Sequence, residues 1–190
     1  MNKLLVSIIV VNCNGGLVFR NCLESLDRIV YPTLELVIVD NGSFDESLEI
    51  VDRFFSKRKN VKVLKNSKNV GFAVANNQGF EISKGKYILL LNNDTKVPPN
   101  FLDKMVEKME IDRNIGVLQP KIRLMDKKNI LDNAGAFITR IGFLKHHGFM
   151  EKDREEFNME RLVFSVKGAC LLARRKAIES AGGLFDPDFV

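Results

Sequence analysis

A chain of 190 residues, 45% hydrophobic and 28% charged, has the size and composition of one globular domain and excludes a disordered segment. Its longest apolar run, "LLVSIIVV", is far short of the ~20 residues that span a bilayer as a helix, and it passes directly into "NCNGG", so it reads as a first strand and not as a leader. Cys13, Cys22 and Cys170 are odd in number and widely spaced, which excludes a disulfide framework and a zinc site and points to a reduced, cytoplasmic protein.

The first half alternates strand and helix. After the first strand, residues 15–29 carry apolar side chains at helical spacing (Leu17, Val18, Cys22, Leu23, Leu26, Ile29) and Pro32 closes the run. "LELVIVD" is a second strand. Ser43 with Glu46 three residues on predicts a capped helix, with Leu48, Ile50, Val51, Phe54 and Phe55 on its buried side. "VKVLKN" is a third strand, 71–83 a helix, and 86–91 a fourth strand. This order predicts an α/β fold with a mostly parallel sheet covered by helices on both faces.

The second half is less regular. Pro98 and Pro99 lead into a helix over 100–111; "IGVLQPKIRL" and "ILDNAGAFIT" read as strands; residues 153–156 read as exposed charge. "LVFSVKGACLLARR" reads as a strand turning at Gly168 and running to a helix near Arg174, which ends at Gly182 and Gly183. The layout is one domain, 1–190, with a nucleotide-type half (1–95) and a mixed second half (96–190).

In parallel sheets of this kind ligands bind beyond the carboxyl ends of the strands. Here those ends carry Asn12, Cys13, Asn14 and Gly15; Asp40, Asn41, Gly42 and Ser43; Asn66, Asn69 and Gly71; and Asn92, Asn93 and Asp94. Asn, Asp and Gly are ordinary turn residues, but four such ends predict one shared crevice. A carboxylate at the end of an apolar strand, as at Asp94, is suited to a divalent metal. One carboxylate suffices where phosphates and waters complete the shell.

The net charge of +5 is concentrated at Lys57, Arg58, Lys59, Lys62, Lys65 and Lys68, and again at Arg123, Lys127 and Lys128. Such runs read as solvated faces or as attraction to polyphosphate or the cytoplasmic face of an anionic membrane. Nucleic acid is not expected, for want of interleaved aromatic and basic residues. His146 and His147 read as surface or acceptor-loop histidines, Lys167 as a solvated or phosphate-touching lysine, and Cys170 as a small buried side chain.

The segments "VSIIVVNCNG", "VIVDNGSFDES", "NVGFAVANNQG", "YILLLNNDT", "VKGACLLARR" and "GGLFDPDF" together resemble the inverting glycosyltransferases of family 2, in its rhamnosyltransferase-like branch. The resemblance implies the GT-A fold and transfer of a sugar from a UDP- or dTDP-linked donor to a glycan or lipid-linked acceptor, as in polysaccharide assembly, with Mn²⁺ or Mg²⁺ and a homodimer as an option. It places Val11 and Cys13 against the nucleoside base and Asp40 on the base's hydrogen-bonding edge. Asn41 joins the same nucleotide site. Asn69 and the run from Gly71 to Asn76 flank the nucleotide and sugar. Asn93 precedes the metal-binding Asp94.

Two departures from the family pattern stand out. Cys13 occupies a position where the family has Tyr. The Glu-Asp pair that supplies the family's catalytic base is expected beyond Val190, with Asp186 and Asp188 matching the segment before it. The resemblance therefore implies either a transferase or a domain that binds nucleotide-sugar without transferring it. A nucleotidyltransferase is a third reading, which "NCNGGLVFRN" matches poorly because it lacks a glycine- and basic-rich phosphate loop.

Overall fold

The computed structural model describes residues 4–188. Its first half follows the expected alternation: β1 (Val6–Asn12), α1 (Gly16–Asp27), β2 (Leu34–Asn41), α2 (Ser47–Phe55), β3 (Val61–Asn66), α3 (Phe72–Ile82) and β4 (Tyr87–Leu91). Then come α4 (Phe101–Ile111), β5 (Val117–Leu118), β6 (Ile122–Arg123), β7 (Leu131–Asn133), β8 (Ala136–Ile138), β9 (Leu144–His146), a 3-10 turn (Glu155–Asn158), β10 (Cys170–Arg174) and α5 (Arg175–Ser180).

The main sheet has strand order β3-β2-β1-β4-β10-β5. The first four strands are parallel; β10 runs antiparallel to β4 and β5. Successive residues face opposite layers. Ile8, Val10, Ile38 and Leu89 join a core under α1, α2 and α4, whereas Ile9, Val37, Val39 and Leu90 join a second core with Ala75 of α3 and Ile178 of α5. That double covering is why β1, β2 and β4 are apolar throughout. β3, at the sheet edge, instead alternates and carries Lys62 and Lys65.

Several expectations are corrected. Ser43 does not cap α2. The helix starts four residues later, at Ser47, and the carboxylate of Asp45 accepts from the Ser47 N–H at 3.0 Å; Ser43 is engaged elsewhere, as described below. The strand expected over 115–124 is split into β5 and β6, because Pro120 has no N–H to donate to a ladder. That over 130–139 is split into β7 and β8, where the Asn133 side chain folds back on the Gly135 N–H at 2.7 Å. The strand expected to start at Leu162 begins only at Cys170. Residues 153–156 are not uniformly exposed charge, since Asp153 is largely covered and paired with Lys121, at 2.6 Å, and with Arg123.

Candidate active site

The parallel register sets Asn12 beside Asp40 and Asn41 beside Asn66. Three loops are then stitched together by side chains that would otherwise be turn formers. Asn93 Nδ2 donates to Asn12 Oδ1 at 2.8 Å, and Asn12 Nδ2 donates to Ser43 Oγ at 3.2 Å. The Asn14 N–H donates to the same Ser43 oxygen at 2.9 Å, and Asn14 Oδ1 accepts from the Phe44 N–H at 2.9 Å. Asp45 closes the seam by accepting from the Gly16 N–H at 2.9 Å. Burial pushes the Asp45 carboxyl up, but the hydrogen bonds from Ser47 and Gly16 outweigh it and hold the group below the usual carboxylate range.

Asn41 organises the other side. Its Nδ2 donates to Asn69 Oδ1 at 2.8 Å, and its Oδ1 accepts from Asn66 Nδ2 at 3.1 Å and from the Val70 N–H at 3.0 Å. Asn69 Oδ1 also accepts from the Gly71 N–H at 2.9 Å, and Asn69 Nδ2 lies 3.6 Å from Cys13 Sγ. Two glycines make this proximity feasible. A Cβ on Gly15 would fall 2.2 Å from Asn12 Oδ1, and Gly42, at φ +78°, brings its Cα against the backbone of Lys68, where a Cβ would fall 2.6 Å from the carbonyl carbon.

Asp40 is the exception to this saturation. It is 3% exposed, and its Oδ2 accepts from the Ser43 N–H at 3.1 Å, but its Oδ1 has no hydrogen-bond partner among the described residues. A buried acceptor without a partner costs on the order of 1–3 kcal/mol, so its retention at the carboxyl end of the sheet points to a donor supplied from outside. Asp94 is the opposite kind of group, an exposed carboxylate without an ion pair among the described residues. No cluster of three or more His, Cys, Asp or Glu able to hold a metal occurs among the described residues. Asp94 therefore fits a metal only in the single-carboxylate mode, with ligand oxygens making up the remainder.

The structure thus brings Cys13, Asp40, Asn41, Asn69, Gly71 and Asn93 into one rim. Val11 is half-buried against the α3-side core. Asn76 is apart from the network: it is 2% exposed and its amide donates to the Phe72 carbonyl within α3 at 2.8 Å. Sequence reading missed Asn12 and Ser43 as hubs and Asp45 as a clasp. Position at a strand end was the available signal for Asn12, whereas capping-box spacing misdirected Ser43. Burial pushes the Cys22 thiol up to about 12, and the same holds for Cys170, so neither is a nucleophile. Phe189 and Val190, and the base expected beyond them, lie outside the described residues.

The glycosyl transferase family 2 model matches residues 7–182, and so takes in every strand end described above. The chain belongs to glycosyl transferase family 2. It is 32% identical over 106 residues to glycosyltransferase GlyG of Streptococcus pneumoniae serotype 4 (56% of this chain, 35% of that one). It is 34% identical over 118 residues to the uncharacterized glycosyltransferase YibD of Escherichia coli K12 (62% and 33%). The chain thus spans about a third of the length of these two relatives. Two solved structures share the family 2 domain's fold: S. aureus TarS 1-349, at TM-score 0.71 and 18% identity over 97% of this chain and 51% of that one, and the Pyrobaculum calidifontis mannosyltransferase PcManGT in complex with GDP-Man and Mn²⁺, at TM-score 0.69 and 21% identity over 99% and 49%. The fold of this domain is GT-A. Among the described residues no helix is long and apolar enough to cross a membrane.

Proposed function

We propose that this family 2 domain binds a nucleoside-diphosphate sugar at the carboxyl ends of β1 to β4 and passes the sugar, with inversion, to a glycan or lipid-linked acceptor. The observation that carries the reading is the partnerless, buried Oδ1 of Asp40. Uracil and thymine present an N–H at the ring edge that would satisfy it, as guanine also does, so the choice of a UDP- or dTDP-linked donor, with rhamnose as the candidate sugar, rests on the family resemblance and not on Asp40. Cys13 and Val11 would line the base. Asn69 and the Gly71 turn would flank the nucleotide and sugar. Asp94, with Asn93 beside it, would hold Mn²⁺ or Mg²⁺, and that ion would neutralise the charge that develops on the diphosphate leaving group. TarS complexed with UDP-GlcNAc and PcManGT complexed with GDP-Man and Mn²⁺ support the donor class and the metal by analogy of fold.

The test is calorimetric titration of the protein and of Asp40→Asn with UDP, dTDP and inorganic pyrophosphate. The amide keeps the shape and can still accept from Ser43, but it can place an N–H against the base edge. UDP and dTDP should weaken by about 1–3 kcal/mol, with pyrophosphate unchanged. Equal loss for all three ligands would make Asp40 a structural residue only.

A further inference from the structure

The hairpin formed by β8 and β9 stands outside the main sheet and, among the described residues, is hydrogen-bonded to the rest of the domain at its base. There the Ala136 N–H donates to Ser165 O at 3.1 Å, the Phe164 N–H donates to Ala136 O at 2.8 Å, and Asn133 Nδ2 meets His146 Nδ1 at 2.8 Å. The tip is ordered internally, with the Thr139 N–H donating to Phe143 O at 2.8 Å and the Phe143 N–H donating to Thr139 Oγ1 at 2.9 Å.

This well-formed tip presents large apolar side chains to water. Ile138 is 51% exposed, Ile141 80%, Phe143 69% and Leu144 48%, and the cross-strand register pairs Ile138 with Leu144 on one face. Single exposed apolar residues are ordinary, but four together on one projecting hairpin mark an interaction surface. Within the hairpin segment itself the charge has one sign. No Asp or Glu occurs in residues 133–150, a stretch of 18, while Arg140, Lys145, His146 and His147 all do. Arg140 and Lys145 are exposed and form no ion pair among the described residues.

We propose that the β8–β9 hairpin docks this domain on an anionic lipid surface, with Ile141 and Phe143 entering the headgroup boundary and Arg140 and Lys145 meeting the lipid charge. Apolar side chains flanked by cations are the pairing an anionic bilayer rewards, the first by burial and the second by surface potential. A cleft of about 710 Å³ beside β5 lacks that asymmetry, since Asp112 and Glu160 line it with Lys108, Lys121 and Arg161. The basic run around β3 is also less suited than its sequence implies, because Arg58 is paired with Asp27 and Lys62 with Glu35.

The placement has a consequence for the reaction. Ser165, at the hairpin base, is four residues before Ala169, whose carbonyl accepts from the Asn92 N–H at the end of β4 at 3.0 Å. The tip lies five residues beyond Ala136, about 16 Å of extended chain. By chain path the tip is therefore within roughly 40 Å of the end of β4, a span that a lipid-linked acceptor held at the bilayer would have to bridge to reach the crevice. That consequence rests on the proposed transfer; the docking does not.

The test uses the full chain and vesicles, without nucleotide or turnover, so docking and transfer fail separately. The protein contains no Trp, so Phe143→Trp supplies a single reporter at the tip. Its emission should shift to shorter wavelength with phosphatidylglycerol-containing vesicles and stay put with phosphatidylcholine alone. In co-sedimentation, Arg140→Ala and Lys145→Ala should each lower affinity roughly fivefold, Phe143→Ser roughly tenfold, and Lys57→Ala, in the other basic cluster, less than twofold. The proposal is overturned by an unshifted reporter, by equal binding to both vesicle types, or by hairpin variants that sediment like the parent. It is also overturned if the protein self-associates without lipid and Phe143→Ser dissociates it, which would make the tip a contact between copies.

Discussion

Asn93 Nδ2 donates to Asn12 Oδ1 at 2.8 Å, joining the end of β4 to the end of β1 across 81 residues of sequence. Asn12 is 1% exposed and passes the connection on to Ser43, so the loops after β1, β2 and β4 behave as one rim. Asn93→Ala should leave the Asn12 carbonyl oxygen without its donor, at a cost of about 1–3 kcal/mol in denaturant unfolding. UDP affinity should fall with it. Unchanged stability would mean that water replaces the donor and the rim does not depend on this bond.

Asp94 should make nucleotide binding metal-dependent. UDP titrated with Mn²⁺ should bind more tightly than UDP in a chelating buffer, and Asp94→Ala should erase that increment while leaving metal-free affinity intact. Because Asp94 is exposed, the substitution should cost less than about 0.5 kcal/mol of stability. Equal affinity for UDP with and without metal in the unmutated domain would remove the metal from the proposal.

Much of this was legible in the sequence, for physical reasons. β1, β2 and β4 are buried on both faces, so they read as unbroken apolar runs, and the residues that follow must lie at the carboxyl edge of a parallel sheet. The second half was harder because its strands are two or three residues long outside β10, and their ends are set by local events such as Pro120 and the Asn133 turn. Ser43 shows the limit of motif spacing. The Ser and Glu of a capping box were present, but Asp45 is nearer the helix start and takes the Ser47 N–H, which frees Ser43 to bridge Asn12 and Asn14. The unpaired oxygen of Asp40 has no sequence signature at all, since it depends on what Asp40 fails to meet.

In the proposed donor site Cys13 would set the size of the base subsite. Its thiol is partly exposed at the rim, 3.6 Å from Asn69 Nδ2. Cys13→Tyr should add a ring that can stack on the nucleoside base and tighten UDP by about 1 kcal/mol, with no change for pyrophosphate. Weaker UDP binding would show that the subsite is shaped around the smaller residue.

His147 should make stability fall at mildly acidic pH. It packs against Phe157 at 4.8 Å and Phe137 at 5.6 Å, and its Nε2 is buried without a partner among the described residues. Burial first, and the nearby Arg161 second, hold the imidazole below its usual 6.5; Glu151 and Glu156 act in the other direction without reversing the shift. The unfolded chain then binds the proton more readily than the folded one. Stability is full above about 6.5 and declines as pH drops from there through the lowered folded value. His147→Phe should flatten the dependence of Tm on pH in that window. A slope unchanged by the substitution would assign the effect to other groups.

Lys167 should prove a structural cation and not a diphosphate ligand. Its Nζ pairs with Asp132 Oδ2 at 2.5 Å, and its N–H donates to Gln119 Oε1 at 2.5 Å, so both ends of the residue are committed to the second half of the domain. The position remains suggestive, because Ala169, two residues on, is bonded to Asn92 beside Asp94. The two roles differ in sign. If the ion pair is structural, Lys167→Met and Asp132→Asn should each destabilise the fold, a double-mutant cycle should show coupling of about 1 kcal/mol for this partly exposed pair, and UDP affinity should move less than twofold in either variant. If the lysine serves the diphosphate, Lys167→Met should weaken UDP and pyrophosphate alike, whereas Asp132→Asn, by releasing the cation, should tighten both. Calorimetry on the three proteins with both ligands distinguishes the outcomes, and a tightening on Asp132→Asn would move Lys167 from the scaffold into the binding site.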